Sequence, residues 1–110
     1  VDALAVAVGT AHGLYTSEPD IKLELISRIA ENCPVPLVMH GASGIPPETI
    51  RASIARGIRK INYFSGFMVR AMETVREECG TDSNDYLGLR QRLMAAWQDE
   101  AKSQIALYQG

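Results

Sequence analysis

Histidine is nearly absent from this 110-residue chain, which carries only His12 and His40. A catalytic zinc site usually takes three protein ligands, so imidazoles from these residues alone cannot complete one. Cysteine is equally sparse. Cys33 and Cys79 lie far apart with no C-x-x-C pair, which favours free thiols in a reducing compartment over a disulfide frame or a thiolate metal site. Lysine and arginine total 11 against 13 acids, a formal charge of −2, so no bulk field recruits nucleic acid or an anionic membrane. No apolar run approaches the ~20 residues that span a bilayer. The chain opens on Val1-Asp2, without an initiator methionine, a basic leader or a cleavage site. The expectation is a cytoplasmic protein with sequence missing or removed upstream.

What is present reads as α/β. Residues 3–8 form a continuous apolar run, the pattern of a parallel strand covered on both faces. Ser17-Glu18-Pro19-Asp20 offers helix-start chemistry ahead of an apolar face at Ile21, Leu23, Leu25, Ile26 and Ile29. Pro34-Val35-Pro36 ends that helix and leads to a short strand over 37–39. A helix opened by Pro46-Pro47-Glu48-Thr49 and closed by Gly57 follows, then a third strand over 59–64. The spacing predicts a helix over about 67–78, a polar turn over 80–84 and a long amphipathic helix over about 85–108. The apolar stripes of these two helices, including Met68, Met72, Met94 and Trp97, read as core or interface. Three parallel strands with helical crossovers leave both sheet edges open. The simplest completion is a (β/α)8 barrel, which needs roughly 200 residues or more. Residues 1–110 are therefore expected to be a partial domain, the C-terminal part of such a barrel.

Both histidines stand where an apolar run gives way to a glycine loop, as Thr10-Ala11-His12-Gly13 and Val38-Met39-His40-Gly41. In α/β proteins the carboxyl edge of the sheet is where ligands bind. On neighbouring strands, ~5 Å apart, two imidazoles could share one ion, or each could be a hydrogen-bonded loop histidine. Gly41-Ala42-Ser43-Gly44 has the composition of an anion nest and equally that of a tight βα turn. Asn62 and Ser65 could hydrogen-bond a phosphate at a strand end, and Ser65 could equally be a plain helix cap.

Taken together, Val8-Gly9-Thr10-Ala11-His12-Gly13-Leu14-Tyr15, Leu37-Val38-Met39-His40-Gly41-Ala42-Ser43-Gly44 and Lys60-Ile61-Asn62 resemble the class II fructose- and tagatose-bisphosphate aldolases. The resemblance covers nearly the whole chain and only the C-terminal part of the family. It implies a zinc-dependent lyase of carbohydrate metabolism that cleaves a ketose 1,6-bisphosphate reversibly to dihydroxyacetone phosphate and glyceraldehyde 3-phosphate. By position, His12 and His40 become zinc ligands. Gly13, Gly41, Ser43, Asn62 and Ser65 become holders of the substrate phosphate, with a monovalent cation nearby in many members. A homo-oligomer, or completion by an N-terminal half, is implied as well. The family's catalytic aspartate belongs to an earlier Asp-His segment that this chain lacks, so no catalytic residue is assigned here. The family commonly has a small or acidic residue at Phe64 and threonine at Ser65. The alternative is a metal- and phosphate-binding aldolase-like subunit without catalysis.

Overall fold

A computed structural model describes residues 1–13, 15–79 and 84–109. Seven elements follow one another: β1 (Leu4–Ala5), α1 (Leu23–Asn32), β2 (Leu37–Met39), α2 (Pro47–Ala55), β3 (Ile58–Ile61), α3 (Ser65–Cys79) and α4 (Tyr86–Gln109). The strands form one parallel sheet in the order β1-β2-β3, the α/β class expected. Leu4 pairs with Leu37 and Ala5 with Val38 on one side of β2. On the other side Leu37 pairs with Ile58, Val38 with Lys60 and Met39 with Ile61, with an irregularity between Leu37 and Val38.

All three β2 residues are buried, because β2 is paired on both edges and covered on both faces. Val8, Ile26, Leu37, Met39, Ile50 and Ile58 are essentially closed to solvent and form the core between the sheet and helices α1 and α2. Each such side chain contributes about 1.5–3 kcal/mol of apolar burial. Gly57, at φ +127°, follows α2 and passes so close to α1 that a Cβ there would lie 2.5 Å from the Ala30 Cβ.

Several boundaries differ from the sequence expectation, each for a physical reason. The first strand is two exposed residues rather than a buried run over 3–8, because β2 is its single partner and stops at Met39. Helix α1 starts at Leu23 rather than near Ser17. The Asp20 carboxylate bonds the Lys22 ammonium instead of capping amides, and the Lys22 N–H donates to the Val8 carbonyl at 2.9 Å. β3 runs from Ile58 and its last rung is the Asn62 N–H to the Met39 carbonyl at 2.9 Å, beyond which β2 offers no partner. Helix α3 takes in Ser65 as its first residue. The expected polar turn lies, for residues 80–83, outside the described residues.

The α3 and α4 helices pack together through Phe67 against Trp97, with ring centroids 5.7 Å apart, and through an ion pair of Arg92 with Glu78 at 2.7 Å. Their outer faces stay bare. Met72, Leu87, Met94, Trp97 and Ile105 are each more than two-fifths exposed, so much of the apolar stripe expected as core or interface is surface here. Among the described residues no helix is long and apolar enough to cross a membrane. Cys33 and Cys79 are free thiols.

Candidate functional site

Three loops leave the carboxyl end of the sheet toward one cleft of about 610 Å³, lined by His12, Gly13, His40, Gly41, Ser43, Ile61, Asn62, Tyr63, Phe64 and Ser65. All seven residues singled out from the sequence line this cleft. The His12 and His40 rings lie edge to face, with centroids 5.7 Å apart and planes at 63°. Two imidazoles on a single tetrahedral zinc, at ~2.0–2.1 Å from each nitrogen, would have centroids roughly 5 Å apart. The spacing fits two positions of one coordination shell. Among the described residues no group of three or more His, Cys, Asp or Glu could hold a metal ion, so these residues offer a pair of ligands rather than a full set.

His40 follows β2 directly, while His12 is reached through a loop beyond β1. The Asn62 amide nitrogen stands 3.1 and 3.2 Å from the two ring nitrogens of His40. A neutral imidazole has one acceptor nitrogen, so a His40 nitrogen that accepts this N–H has its lone pair engaged, and an ion bound there would displace the Asn62 contact. The Lys60 ammonium bonds the Asn62 side-chain oxygen and thereby fixes which way the amide faces. Ser43, 4% exposed, accepts the Gly66 N–H at 3.1 Å, which ties the second loop to the start of α3. Its hydroxyl proton remains available to the cleft. Ser65 opens α3 at the cleft wall, where the helix dipole favours an anion. Gly13, at φ +93°, has open space where a Cβ would stand. Phe64 is 67% exposed at the cleft wall.

Tyr15, part of the first segment that carries the resemblance, and Glu100 are given no role by the sequence. The Tyr15 hydroxyl accepts the Ala11 N–H at 3.0 Å and donates to the Gly41 carbonyl at 2.8 Å. Its bonds go to backbone, so no side-chain pattern announces them, and the signal at hand was an aromatic set among loop glycines. Glu100 on α4 receives the Tyr63 hydroxyl and the Gln104 amide. Burial first, then the bond to Glu100 and its charge, hold the Tyr63 phenol above its ordinary value. Burial and the same carboxylate push Tyr108 up to about 12. Lys60 was legible in principle, since it stands two residues before Asn62 on the same face of a strand.

A parallel α/β sheet whose carboxyl-end loops bring two imidazoles beside glycines and hydroxyls has its cleft where α/β barrel proteins place their ligands. The family profile described as fructose-bisphosphate aldolase class-II matches residues 1–109, and the chain belongs to that family. It is 39% identical over 107 residues to the protein YdjI of Escherichia coli strain K12, covering 97% of this chain and 37% of that protein. The crystal structure of the YdjI aldolase from Escherichia coli K12 superposes with a TM-score of 0.85 at 34% identity, covering 97% of this chain and 38% of that one. The structure of a candidate fructose-1,6-biphosphate aldolase from Coccidioides immitis gives a TM-score of 0.90 at 26% identity, over 99% of this chain and 38% of that one. The 110 residues thus span under two-fifths of the length of the relatives they match.

Proposed function

We propose that these residues form the metal- and phosphate-holding part of a cytoplasmic class II aldolase. It would cleave a ketose 1,6-bisphosphate reversibly to dihydroxyacetone phosphate and glyceraldehyde 3-phosphate. The carrying observation is that one cleft gathers His12 and His40, 5.7 Å apart, with Gly13, Gly41, Ser43, Asn62 and Ser65. In this reading His12 and His40 would hold a zinc ion, which when bound polarises the substrate carbonyl. Asn62, oriented by Lys60, stands against His40 and would yield its place at whichever ring nitrogen takes the ion. The Ser43 and Ser65 hydroxyls, backbone amides at Gly13 and Gly41 and the α3 N-terminus bind the phosphate and fix the reacting carbon chain in place. A backbone carbonyl site for a monovalent cation belongs to the same reading. Among the described residues the cleft lining carries no carboxylate, so in this reading the acid/base that moves the C4 hydroxyl proton comes from outside that lining.

The open edges of β1 and β3 take the remaining strands of a (β/α)8 barrel, and the bare faces of α3 and α4 are covered by the rest of the polypeptide or by a second copy. Two quantities support this. The radius of gyration is 16.9 Å, against about 13 Å for a compact domain near this size, and the longest extent is 57 Å. The exposed Phe64 ring, where the family has a small or acidic residue, favours a second reading in which metal and phosphate bind without turnover.

The test uses the full-length gene product carrying these residues. Cleavage of fructose and tagatose 1,6-bisphosphates is expected to be abolished by chelation and restored by zinc. His12→Ala and His40→Ala should each lower zinc affinity and turnover by more than the roughly 10–100-fold typical of outer-sphere substitutions. A zinc-loaded protein inert toward both sugars would sink the enzymatic reading in favour of the binding one. Unchanged zinc content in His40→Ala would sink the ligand assignment.

A further inference from the structure

The two histidine loops come from different strands, so something must hold them in register. Asn62 reaches His40, and Ser43 ties its loop to α3. The Tyr15 hydroxyl bonds both histidine loops at once, at the Ala11 N–H beside His12 and the Gly41 carbonyl beside His40. We propose that Tyr15 is a positioning residue whose phenol hydroxyl fastens the His12 loop to the His40 loop and so sets the spacing of the two imidazoles; this rests on reading that pair as zinc ligands.

The geometry leaves the hydroxyl little freedom. A phenol has one proton, and it goes to Gly41. The oxygen accepts from Ala11, so the group is used in both directions. The loops also touch directly. At Gly41, φ +67°, a Cβ would lie 2.1 Å from the Ala11 carbonyl oxygen, so only glycine permits the approach. The half-buried Tyr15 ring packs on the core, and a Cβ at Gly44 would be 3.3 Å from its Cδ2. The ring is thus anchored by packing while its tip joins two backbones. Each bonded backbone group belongs to a residue adjacent to one of the histidines, so loosening the tip lets the rings drift apart. Partners that bond a metal-ligating imidazole directly alter metal affinity by roughly 10–100-fold, and Tyr15 acts through the backbone beside each ring, so its effect should fall at the lower end of that range.

Tyr15→Phe removes the hydroxyl and keeps the ring. In the full-length protein it should weaken zinc affinity about 10-fold and alter the visible spectrum of the cobalt-substituted form, with circular dichroism unchanged. Tyr108→Phe, which deletes a phenol hydroxyl away from both loops, should change neither. If zinc binding requires both histidines and Tyr15→Phe binds as tightly as wild type, the positioning role is overturned while the ligand assignment stands. If the wild-type protein takes up no zinc, the functional reading falls. The metal-free protein then decides on Tyr15 by NMR, where loss of the His12–His40 ring contact in Tyr15→Phe supports the role and its persistence overturns it. Should Tyr15→Phe fail to fold, the wild-type hydroxyl proton decides. Slow exchange with contacts to both loops supports the proposal, and free exchange overturns it.

Discussion

Tyr108 has a hydroxyl closed off from water with no hydrogen-bond partner among the described residues. An orphaned buried hydroxyl carries a desolvation cost, so Tyr108→Phe should stabilise the fold by about 1 kcal/mol in denaturant titration at pH 8. Its titration adds an alkaline limit. Below pH 10.0 both folded and unfolded phenols keep their protons, and stability has no slope from this group. Between pH 10.0 and about 12 the unfolded state loses its proton first, so stability falls as pH rises through that window. Tyr63 acts in the same direction, so Tyr108→Phe should reduce the loss measured between pH 8 and 11 without abolishing it. Among single residues, chemistry-bearing types in glycine loops were legible from sequence: His12, His40, Ser43, Asn62 and Ser65. The bond that joins Tyr15 to two backbones was not, because backbone groups carry no sequence signature. The rationale for the histidine pair also needed revision. His12 does not sit at a strand end but seven residues beyond Ala5, while His40 follows Met39 at once.

At the scale of elements, apolar periodicity located all four helices, and strand ends went astray where pairing partners ran out. A strand boundary depends on its neighbour, and no local pattern in residues 3–8 or 59–64 says where β2 stops. Caps are more local. Asp85 accepts the Gly88 N–H at 2.8 Å and so satisfies an amide in the first turn of α4. Asp85→Ala should cost about 1 kcal/mol, read as a lower thermal midpoint by circular dichroism, and Asp85→Asn should restore most of it. Helix α1 has no such side-chain cap, and its start is fixed by the Lys22 N–H on Val8, a tertiary contact that composition could not announce.

Across the whole molecule, protection against hydrogen exchange should follow pairing. In residues 1–110 alone, amides of β2 should exchange slowest and those of β1 fastest, since β2 is held on both edges and both β1 residues are exposed. Equal protection of the two strands would mean that β1 gains a neighbour by self-association. The open sheet edges were foreseen, and the bare faces of α3 and α4 only as the interface that one reading of their stripes allowed. The extent of that bareness on α4 was not, because an amphipathic stripe has the same pattern whether or not anything covers it.

The doubly paired central strand makes the two imidazoles mechanically unequal. His40 inherits the stiffness of β2, whereas His12 is exposed and lies in a loop held at the Ala11 N–H by the Tyr15 hydroxyl. Loss of the Tyr15 bond would therefore be felt first at His12, since only His40 keeps a strand behind it.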